Sequence, residues 1–154
     1  MHGRNLIVRR MTPWRHVLCC SPAYLASHEA PRRLQDVAGH NCLRYAFYPH
    51  GDEWRFIGPD GAPASVRTSG NLVSNSGEVL RVAALRGHGL FLAPTFLADV
   101  DLKAGRLVAV LEDYRPVEFA INAVYPHRHH LSAKVRSFID LLAQRLAEHT
   151  SGLT

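Results

Sequence analysis

The sequence predicts an α/β fold in a chain of 154 residues, a length typical of one domain with its own core. A strand, a helix and a second strand follow one another between Gly70 and Pro94. Short apolar segments that favour strands alternate with short helical segments along the rest of the chain. A long amphipathic helix lies near the end of the sequence. This alternation of strands and helices is typical of α/β domains.

The segment between Gly70 and Pro94 carries the clearest signals. Leu72–Val73 forms a short apolar strand, and Leu90–Ala93 is an uninterrupted apolar run, as expected of a strand that is covered on both faces. Between them, Asn75 is predicted to cap the helix, and Glu78 completes a capping-box pattern. Gly87 is predicted to end the helix in a left-handed conformation. A right-handed crossover makes the two strands parallel.

The start of this helix is a candidate ligand site. The topology places its free backbone amides, near Ser76 and Gly77, at the carboxyl end of the first strand. Small ligands bind at that position in open α/β sheets, and a helix N-terminus favours anions. From these residues alone, a helix cap with no ligand is the alternative interpretation.

The remaining elements follow from apolar periodicity and turn signals. A hairpin is predicted around the turn Gly58–Gly61. The other predicted strands are Leu6–Val8, His16–Cys20, Asn41–Phe47, Trp54–Ile57, Ser65–Ser69, Leu107–Leu111 and Phe119–Tyr125. The other predicted helices are Pro22–His28, Leu34–Ala38, Thr95–Val100 and Ser132–Glu148, of which the last is capped by Ser132 and has an apolar face that needs a partner surface.

Composition narrows the classes of function. The formal charge is +5 and the pI is near 9.5, but the arginines are scattered and no recognition helix accompanies them. We therefore do not expect this chain to bind DNA directly. No apolar run approaches the length of a membrane span, and residues 1–11 do not read as a secretion signal. A cytoplasmic location is expected.

The sequence offers little support for catalysis or metal binding. Cys19, Cys20 and Cys42 fit buried thiols in a reducing compartment better than a metal site. A nucleophile at Ser21 is not supported, because proline follows it and no glycines flank it. The histidines in the segment 127–130 could bind a metal ion, but a solvated loop is the stronger interpretation. We expect no catalytic residue, no metal and no cofactor.

Taken together, these segments resemble the effector-binding region of LysR-type transcriptional regulators. The resemblance rests on VLCCSPAYLASHEAPRRLQDVAGHNCLRY, the WRF segment with its GPDG turn, NLVSNSGEVLRVAALRGHGLFLAPTFLADVDLKAGRLVAVLEDY and INAVYPHRHHLSAKVRSFIDLL. It extends from about Asn5 to about Leu146, which is most of the chain.

The resemblance implies a type 2 periplasmic-binding-protein-like fold, in which two α/β subdomains are hinged around a cleft. It implies one nearly complete subdomain with a mixed sheet, over residues 16–118. Residues 119–154 resemble the crossover strand and C-terminal helix of the other subdomain, and residues 1–15 an incomplete N-terminal segment at the hinge. The family's winged helix-turn-helix and linker helix have no counterpart in this sequence, so we expect an N-terminally truncated regulator.

The resemblance also implies a set of ligand-binding positions at the ends of strands and at the hinge. Backbone amides with Asn75 and Ser76 would donate hydrogen bonds, Arg44 would form an ion pair, and the remaining positions would contribute packing or weaker contacts. The implied ligand-binding residues are Arg44, Tyr45, Asn75, Ser76, Ser21 and Thr95.

The implied function is that of an effector-sensing domain that binds a small organic, anionic ligand in the interdomain cleft. Such a domain is not an enzyme, its partners are the small-molecule effector and further copies of itself, and it reaches DNA only through the winged helix-turn-helix. The alternative is a free-standing solute-binding or assembly-modulating module without its own DNA reader. An enzyme that uses Cys19 or the histidine cluster is the least supported alternative.

Overall fold

A computed structural model describes residues 6–126 and 133–151 of the protein. The strands are β1 (Leu6–Trp14), β2 (His16–Cys20), β3 (Cys42–Tyr45), β4 (Glu53–Ile57), β5 (Pro63–Arg67), β6 (Leu72–Ser74), β7 (Leu90–Pro94), β8 (Val108–Ala109), β9 (Arg115–Pro116) and β10 (Phe119–Pro126). The helices are α1 (Pro22–Ser27), α2 (Gly77–Leu85), α3 (Thr95–Lys103) and α4 (Ala133–Ser151), with a 3-10 helix at Leu34–Gly39. The predicted α/β class is confirmed.

The chain divides into two compact units, which are described separately. Residues 15–117 form the larger unit, and residues 1–14 with 118–154 form the smaller one. The chain passes between the units at Trp14–Arg15 and again at Val117–Glu118.

The larger unit is organised around a mixed sheet with the strand order β6-β3-β7-β2-β8. Strand β3 is parallel to both β6 and β7, so the two strands that flank α2 are parallel, as predicted. Strand β2 runs antiparallel to its neighbours β7 and β8. The amino end of β2 therefore lies at the same edge of the sheet as the carboxyl ends of β3, β6 and β7.

Apolar side chains from the sheet, α2 and α3 form the core of this unit. Val79, Val82 and other outward residues of α2 are exposed, whereas Leu80 and Ala84 are buried, which is the pattern of a helix with one face on a sheet. The buried cluster consists of Cys19, Leu43, Leu80, Ala84, Phe91, Ala93, Ala98 and Leu107. Gly87 ends α2 with a φ of +81°, which confirms the predicted left-handed stop.

At the amino edge of the parallel strands, Asn41 connects three segments. Its side-chain amide donates to His88 O at 2.7 Å and to Asn71 Oδ1 at 2.9 Å, and its Oδ1 accepts from the backbone N–H of Asn71. The neighbouring glycines approach this segment closely. A Cβ on Gly89 would lie 2.1 Å from Asn41 O, and one on Gly70 would lie 2.1 Å from Cys42 O. Only glycine allows these backbones to meet.

A buried carboxylate joins α2 to α3 and to the segment that follows α3. The side chain of Asp101 is 0% exposed and accepts from Arg81 Nε at 2.6 Å and from Arg106 Nε at 2.8 Å. These hydrogen bonds, first of all that from Arg81, hold the pKa of Asp101 below its usual range. The carboxylate therefore stays ionised and fixes α2 against α3.

The hairpin of β4 and β5 is confirmed, and β9 adds to it in a second sheet of order β5-β4-β9. Gly61 N donates to Gly58 O at 2.9 Å, and Gly61 has a φ of +81°, as the predicted turn requires. Trp54 and Phe56 bury their side chains on one face of β4, while Arg55 between them is exposed. This alternation is typical of a strand with one face on a core.

Two predicted strands are shorter than expected. The strand predicted at Leu107–Leu111 is confined to Val108–Ala109, because Leu111 has a φ of +54° and begins a turn in which Tyr114 N donates to Leu111 O. The strand predicted at Asn41–Phe47 ends at Tyr45, because Tyr48 N donates to Tyr45 O in a tight turn. Hydrophobicity alone does not show where such turns interrupt a strand.

The three cysteines are free and buried, as predicted. Burial raises the pKa of Cys19 and Cys42 to about 12 and that of Cys20 to about 11. Because the thiolate is the reactive form, we expect Ellman's reagent at pH 8 to react about a hundredfold more slowly with the native protein than with the urea-unfolded chain. A thiol that reacts equally fast in both states would contradict this burial.

The smaller unit pairs β1 with β10 antiparallel, from Leu6 opposite Pro126 to Trp14 opposite Phe119. Helix α4 packs against β1. Ile139 of α4 is buried, but the helix also exposes apolar side chains at helical spacing. The exposed apolar residues are Val135, Phe138, Leu141 and Leu142.

This exposed face of α4 is expected to drive self-association, because large apolar patches on a surface favour burial against another protein. Sedimentation velocity should show the sedimentation coefficient rising with protein concentration, and Leu141→Lys should reduce that rise. Val100→Lys, which replaces a 66% exposed valine on α3, is the control and should leave it unchanged. A wild-type protein that stays monomeric over the whole concentration range would show that this face does not self-associate.

Some predictions fall on residues outside the described ranges. They are the histidine cluster His127, His129 and His130, and the cap assigned to Ser132. Within the described ranges, no helix is long and apolar enough to cross a membrane. The same ranges contain no group of three or more His, Cys, Asp or Glu residues placed to hold a metal ion.

Candidate functional site

The candidate site lies at the carboxyl edge of the parallel strands in the larger unit. Strands β3, β6 and β7 end there at Tyr45, Ser74 and Pro94. Tyr45 lies opposite Ser74 in the ladder, and Ala46 N donates to Ser74 O at 2.8 Å. Helices α2 and α3 both begin directly beyond this edge, at Gly77 and Thr95. Two helix N-termini therefore meet one edge of the sheet.

Ser76, and not Asn75, caps α2. The Ser76 hydroxyl accepts from Val79 N at 3.3 Å, and Ser76 N donates to Ser74 Oγ at 3.0 Å. The prediction of Asn75 as the cap is wrong by one residue, and Asn75 is exposed at the edge. The predicted capping box is also absent, because the Glu78 carboxylate bonds to Arg81 Nη1 at 2.7 Å instead.

Gly77 brings the two helix starts close together. A Cβ on Gly77 would lie 2.9 Å from Leu97 Cδ2, so Leu97 in the first turn of α3 occupies the space that a side chain would need. The first i→i−4 hydrogen bond of α2 runs from Leu80 N to Ser76 O at 3.3 Å. The N–H groups of Gly77 and Glu78 precede it and are available to an acceptor at the edge.

Arg44 does not join these residues. Its Nη2 donates to Gly70 O at 3.1 Å, and Gly70 precedes β6 at the amino edge of the sheet. The guanidinium of Arg44 therefore points away from the carboxyl edge, and its buried Nε has no hydrogen-bond partner. The resemblance implies that Arg44 and Asn75 share one ligand site, whereas the structure separates the two.

Ser21 is also not part of this edge. It is 2% exposed, caps α1 by accepting from Tyr24 N at 3.1 Å, and does not lie where the chain passes between the two units. A Cβ on Gly87 would lie 3.4 Å from Ser21 Oγ, which places Ser21 beside the end of α2. A helix of 9 residues puts that end about 13 Å from Gly77. The antiparallel course of β2 explains this placement.

Thr95 and Tyr45 do lie at the carboxyl edge. Thr95 is half-buried as the first residue of α3, and its N–H donates to Arg15 O at 2.9 Å. Tyr45 is 40% exposed, so its ring is accessible to a ligand. Of the six predicted site residues, the structure brings Tyr45, Asn75, Ser76 and Thr95 to one edge.

His16 begins β2 at this edge, opposite Pro94 in the ladder. Its ring meets that of the buried Tyr48 edge-on, with 6.1 Å between the centroids. Burial lowers the pKa of His16 to about 4, so the imidazole is neutral at pH 7 and contributes no charge to the edge. Burial likewise raises the pKa of Tyr48, whose hydroxyl accepts from Arg55 N at 3.3 Å.

The low pKa of His16 makes stability depend on pH. Between pH 6.5 and 4 the unfolded chain binds a proton that the native imidazole does not, so the free energy of unfolding falls as the pH falls. We expect His16 to lower that free energy by about 2 kcal/mol between pH 7 and pH 5, as measured by urea denaturation. In His16→Gln the fall should be smaller by about that amount, and an equal fall in both proteins would refute the assignment.

Several residues at this edge are not among the predicted site residues. The sequence predicts Gly77 only as part of the helix start, although a glycine directly after a helix cap indicates a close approach to a neighbouring segment. Ser74, whose hydroxyl holds Ser76 N, and the exposed rings of Phe47 and Phe96 were not selected. Several aromatic residues surround the YPHG turn at residues 48–51, and this clustering is a sequence signal that could indicate Phe47 as a site residue.

A surface depression of about 450 Å³ lies elsewhere in the larger unit and includes none of the predicted site residues. It is wide open, and His40 within it forms a hydrogen bond with the Tyr24 hydroxyl. Its lining residues are His28, Glu29, Gln35, Asp36, Gly39 and His40.

Residues 2–147 match the family model of the LysR substrate binding domain. The chain belongs to this family. It is 36% identical over 148 residues to the HTH-type transcriptional regulator DmlR of Escherichia coli, covering 94% of this chain and 47% of DmlR. It is 30% identical over 149 residues to the regulator CrgA of Neisseria meningitidis, covering 96% of this chain and 49% of CrgA. These relatives are transcriptional regulators and not enzymes.

Solved structures of this family share the fold. The full-length Vibrio cholerae virulence activator AphB superposes with a TM-score of 0.79 at 29% identity, covering 94% of this chain and 49% of AphB. The regulatory domain of Neisseria meningitidis CrgA gives 0.75 at 31% identity, covering 90% of this chain and 68% of that domain. The protein therefore has the type 2 periplasmic-binding-protein-like fold that the resemblance implied, and it spans about half the length of the regulators it matches.

Proposed function

We propose that this chain is the effector-sensing part of a LysR-type transcriptional regulator and that it binds a small organic anion at the carboxyl edge. The observation that carries the proposal is the convergence of the α2 and α3 N-termini on this edge, where Gly77 and Glu78 offer free N–H groups. Helix N-termini attract anions through their N–H groups and the helix dipole. The cleft between two subdomains that the resemblance implied stays a prediction.

The carboxylates of Glu78 on α2 and Asp101 on α3 are already paired with arginines. Glu78 is paired with Arg81, and Asp101 is held by Arg81 and Arg106, so both carboxylates are balanced within the protein. Ser76 and Asn75 are uncharged and can add hydrogen bonds to an acceptor. An effector carboxylate would thus meet N–H groups at the edge, and neither Glu78 nor Asp101 would oppose it with an unpaired negative charge.

In the whole regulator, the DNA contacts would come from a winged helix-turn-helix that lies outside this sequence. Effector binding would alter DNA binding only if the effector had different affinities for two arrangements of the assembled subunits. We infer that the regulator acts as an oligomer in the cytoplasm, where its DNA target lies. The assignment of this chain to a transcriptional regulator is supported by its similarity to the regulators DmlR and CrgA.

The test compares small carboxylates with their uncharged amides. Acetate, succinate and benzoate are titrated by ligand-observed NMR against acetamide, succinamide and benzamide. We expect a carboxylate to bind more tightly than its amide and Ser76→Asp to weaken that binding about tenfold, because aspartate still caps α2 but adds a negative charge beside the ligand.

Gln35→Glu is the matched control, since it adds the same charge at an exposed residue of the 3-10 helix that precedes β3. This variant should leave carboxylate binding unchanged. Equal binding of carboxylates and amides, or equal weakening by both variants, would reject an anion site at the start of α2.

A further inference from the structure

Two aromatic rings stand exposed beside the start of α2. Phe47 is 69% exposed and Tyr45 is 40% exposed, and their rings meet edge-on with 5.8 Å between the centroids. Tyr45 ends β3 opposite Ser74, whose hydroxyl accepts from Ser76 N. The aromatic pair and the N–H groups of α2 therefore follow directly on from neighbouring strands.

The exposure of Phe47 is built into an ordered turn. Tyr48 N donates to Tyr45 O at 3.2 Å, which closes the turn around Phe47. The Tyr48 ring is buried, and its hydroxyl accepts from Arg55 N of β4. The turn is thus fixed at both ends while the phenyl ring between them faces solvent. An aromatic ring that is held in place and left exposed is a frequent component of binding sites.

A third ring lies at the same edge. Phe96, in the first turn of α3, is 41% exposed. It follows β7, which is hydrogen-bonded to β3, and neighbouring strands lie about 4.8 Å apart. Apolar rings and helix N-termini are thus interleaved along the edge. A ligand of matching chemistry would have one anionic end and one planar apolar end.

We propose that the ligand of this edge is an aromatic carboxylate whose ring packs on Tyr45 and Phe47 and whose carboxylate receives hydrogen bonds from the start of α2. This inference rests on the proposed function and specifies its ligand class. A small aliphatic acid satisfies the N–H groups but leaves the two rings in water. An aromatic acid removes apolar surface of both partners from water, and a ring against a ring also gains an edge-to-face contact.

The experiment measures dissociation constants for benzoate, acetate and benzamide by NMR titration with the wild-type chain, Phe47→Ala and Phe138→Ala. We expect benzoate to bind about tenfold more tightly than acetate, and Phe47→Ala to remove that advantage while leaving acetate unchanged. Phe138→Ala is the matched control, because it deletes a phenyl ring of similar exposure, 63%, from α4. It should leave all three constants unchanged.

The outcomes separate the two proposals. Equal affinity for acetate and benzoate, or a benzoate affinity that Phe47→Ala does not alter, overturns the aromatic ligand class while the anion site stands. Equal affinity for benzoate and benzamide, with Phe47→Ala weakening both, overturns the anion site and supports the aromatic contact. An equal loss with Phe138→Ala, or no binding of benzoate, overturns the inference.

Discussion

Gly89→Ala is expected to lower the free energy of unfolding by about 3 kcal/mol or more, which would leave much of the protein unfolded at 25 °C. The added Cβ would lie 2.1 Å from Asn41 O and 3.0 Å from Asn41 C. Both are backbone atoms of the segment that enters β3, and Leu90 N donates to the same Asn41 O. The clash cannot be relieved by a side-chain rotation, so the pairing of β3 with β7 must open.

The control for this prediction is Gly39→Ala. Gly39 ends the 3-10 helix, its φ is not positive, and a Cβ there would meet nothing within 4 Å. Urea denaturation should therefore give Gly39→Ala a free energy of unfolding within about 0.5 kcal/mol of the wild type. If Gly89→Ala were as stable as Gly39→Ala, the close approach of residues 41 and 89 would be wrong.

Asp101→Ala is expected to lower the free energy of unfolding by about 3 kcal/mol, because it removes the buried carboxylate that joins Arg81 and Arg106 at the α2–α3 junction and leaves Arg81 paired with Glu78. The wild-type carboxylate is fully buried and accepts hydrogen bonds from both guanidinium groups. The pKa of Asp101 is lowered in the native state, so its stabilising effect is present above the unfolded pKa of 3.8 and is lost as the pH falls below it.

Asp99→Ala on the same helix provides the comparison. Asp99 pairs with Lys103 at 3.0 Å, and the lysine side chain is 65% exposed, so water screens this pair. Guanidinium denaturation at pH 7 should show a loss below about 1 kcal/mol for Asp99→Ala. Similar losses for Asp99→Ala and Asp101→Ala would mean that the buried Asp101 carboxylate stabilises the protein no more than a surface ion pair does.

Much of the larger unit could be predicted because its signals are local. The apolar face of α2, its stop at Gly87, the turn at Gly58–Gly61 and the burial of the cysteines all follow from neighbouring residues. The predicted cap of α2 lies one residue before the observed one because Asn75 and Ser76 are both good caps. The choice between them depends on the Ser74 hydroxyl, which the ladder with Tyr45 brings into position.

The errors at the site come from long-range pairing. Strand alternation shows which face Arg44 occupies, but not that its side chain runs back along the strand to Gly70 O. The resemblance implies a ligand-binding position at Ser21, but it does not show that β2 runs antiparallel to β7. That pairing joins residues more than seventy positions apart. It places Ser21 at the amino edge of the parallel strands, whereas Ser76 lies at their carboxyl edge.

The exposed aromatic rings at the carboxyl edge are not predicted, for a different reason. The sequence predicts that Phe47 continues β3, where alternation would place its ring on one face of a sheet. The turn from Tyr45 to Tyr48 instead exposes the phenyl ring beyond the end of the strand. A turn that is closed by one backbone hydrogen bond is not visible in the hydrophobic pattern.

The most direct test of the anion site is the response of individual backbone amides to benzoate in ¹H–¹⁵N correlation spectra. We expect the largest saturable shifts at Gly77 and Glu78, with small shifts at Gly61 in the β4–β5 turn, and no such shifts when benzamide replaces benzoate. Saturable shifts confined to other amides, with Gly77 and Glu78 unmoved, would contradict the central claim that the start of α2 receives the negative charge of the ligand.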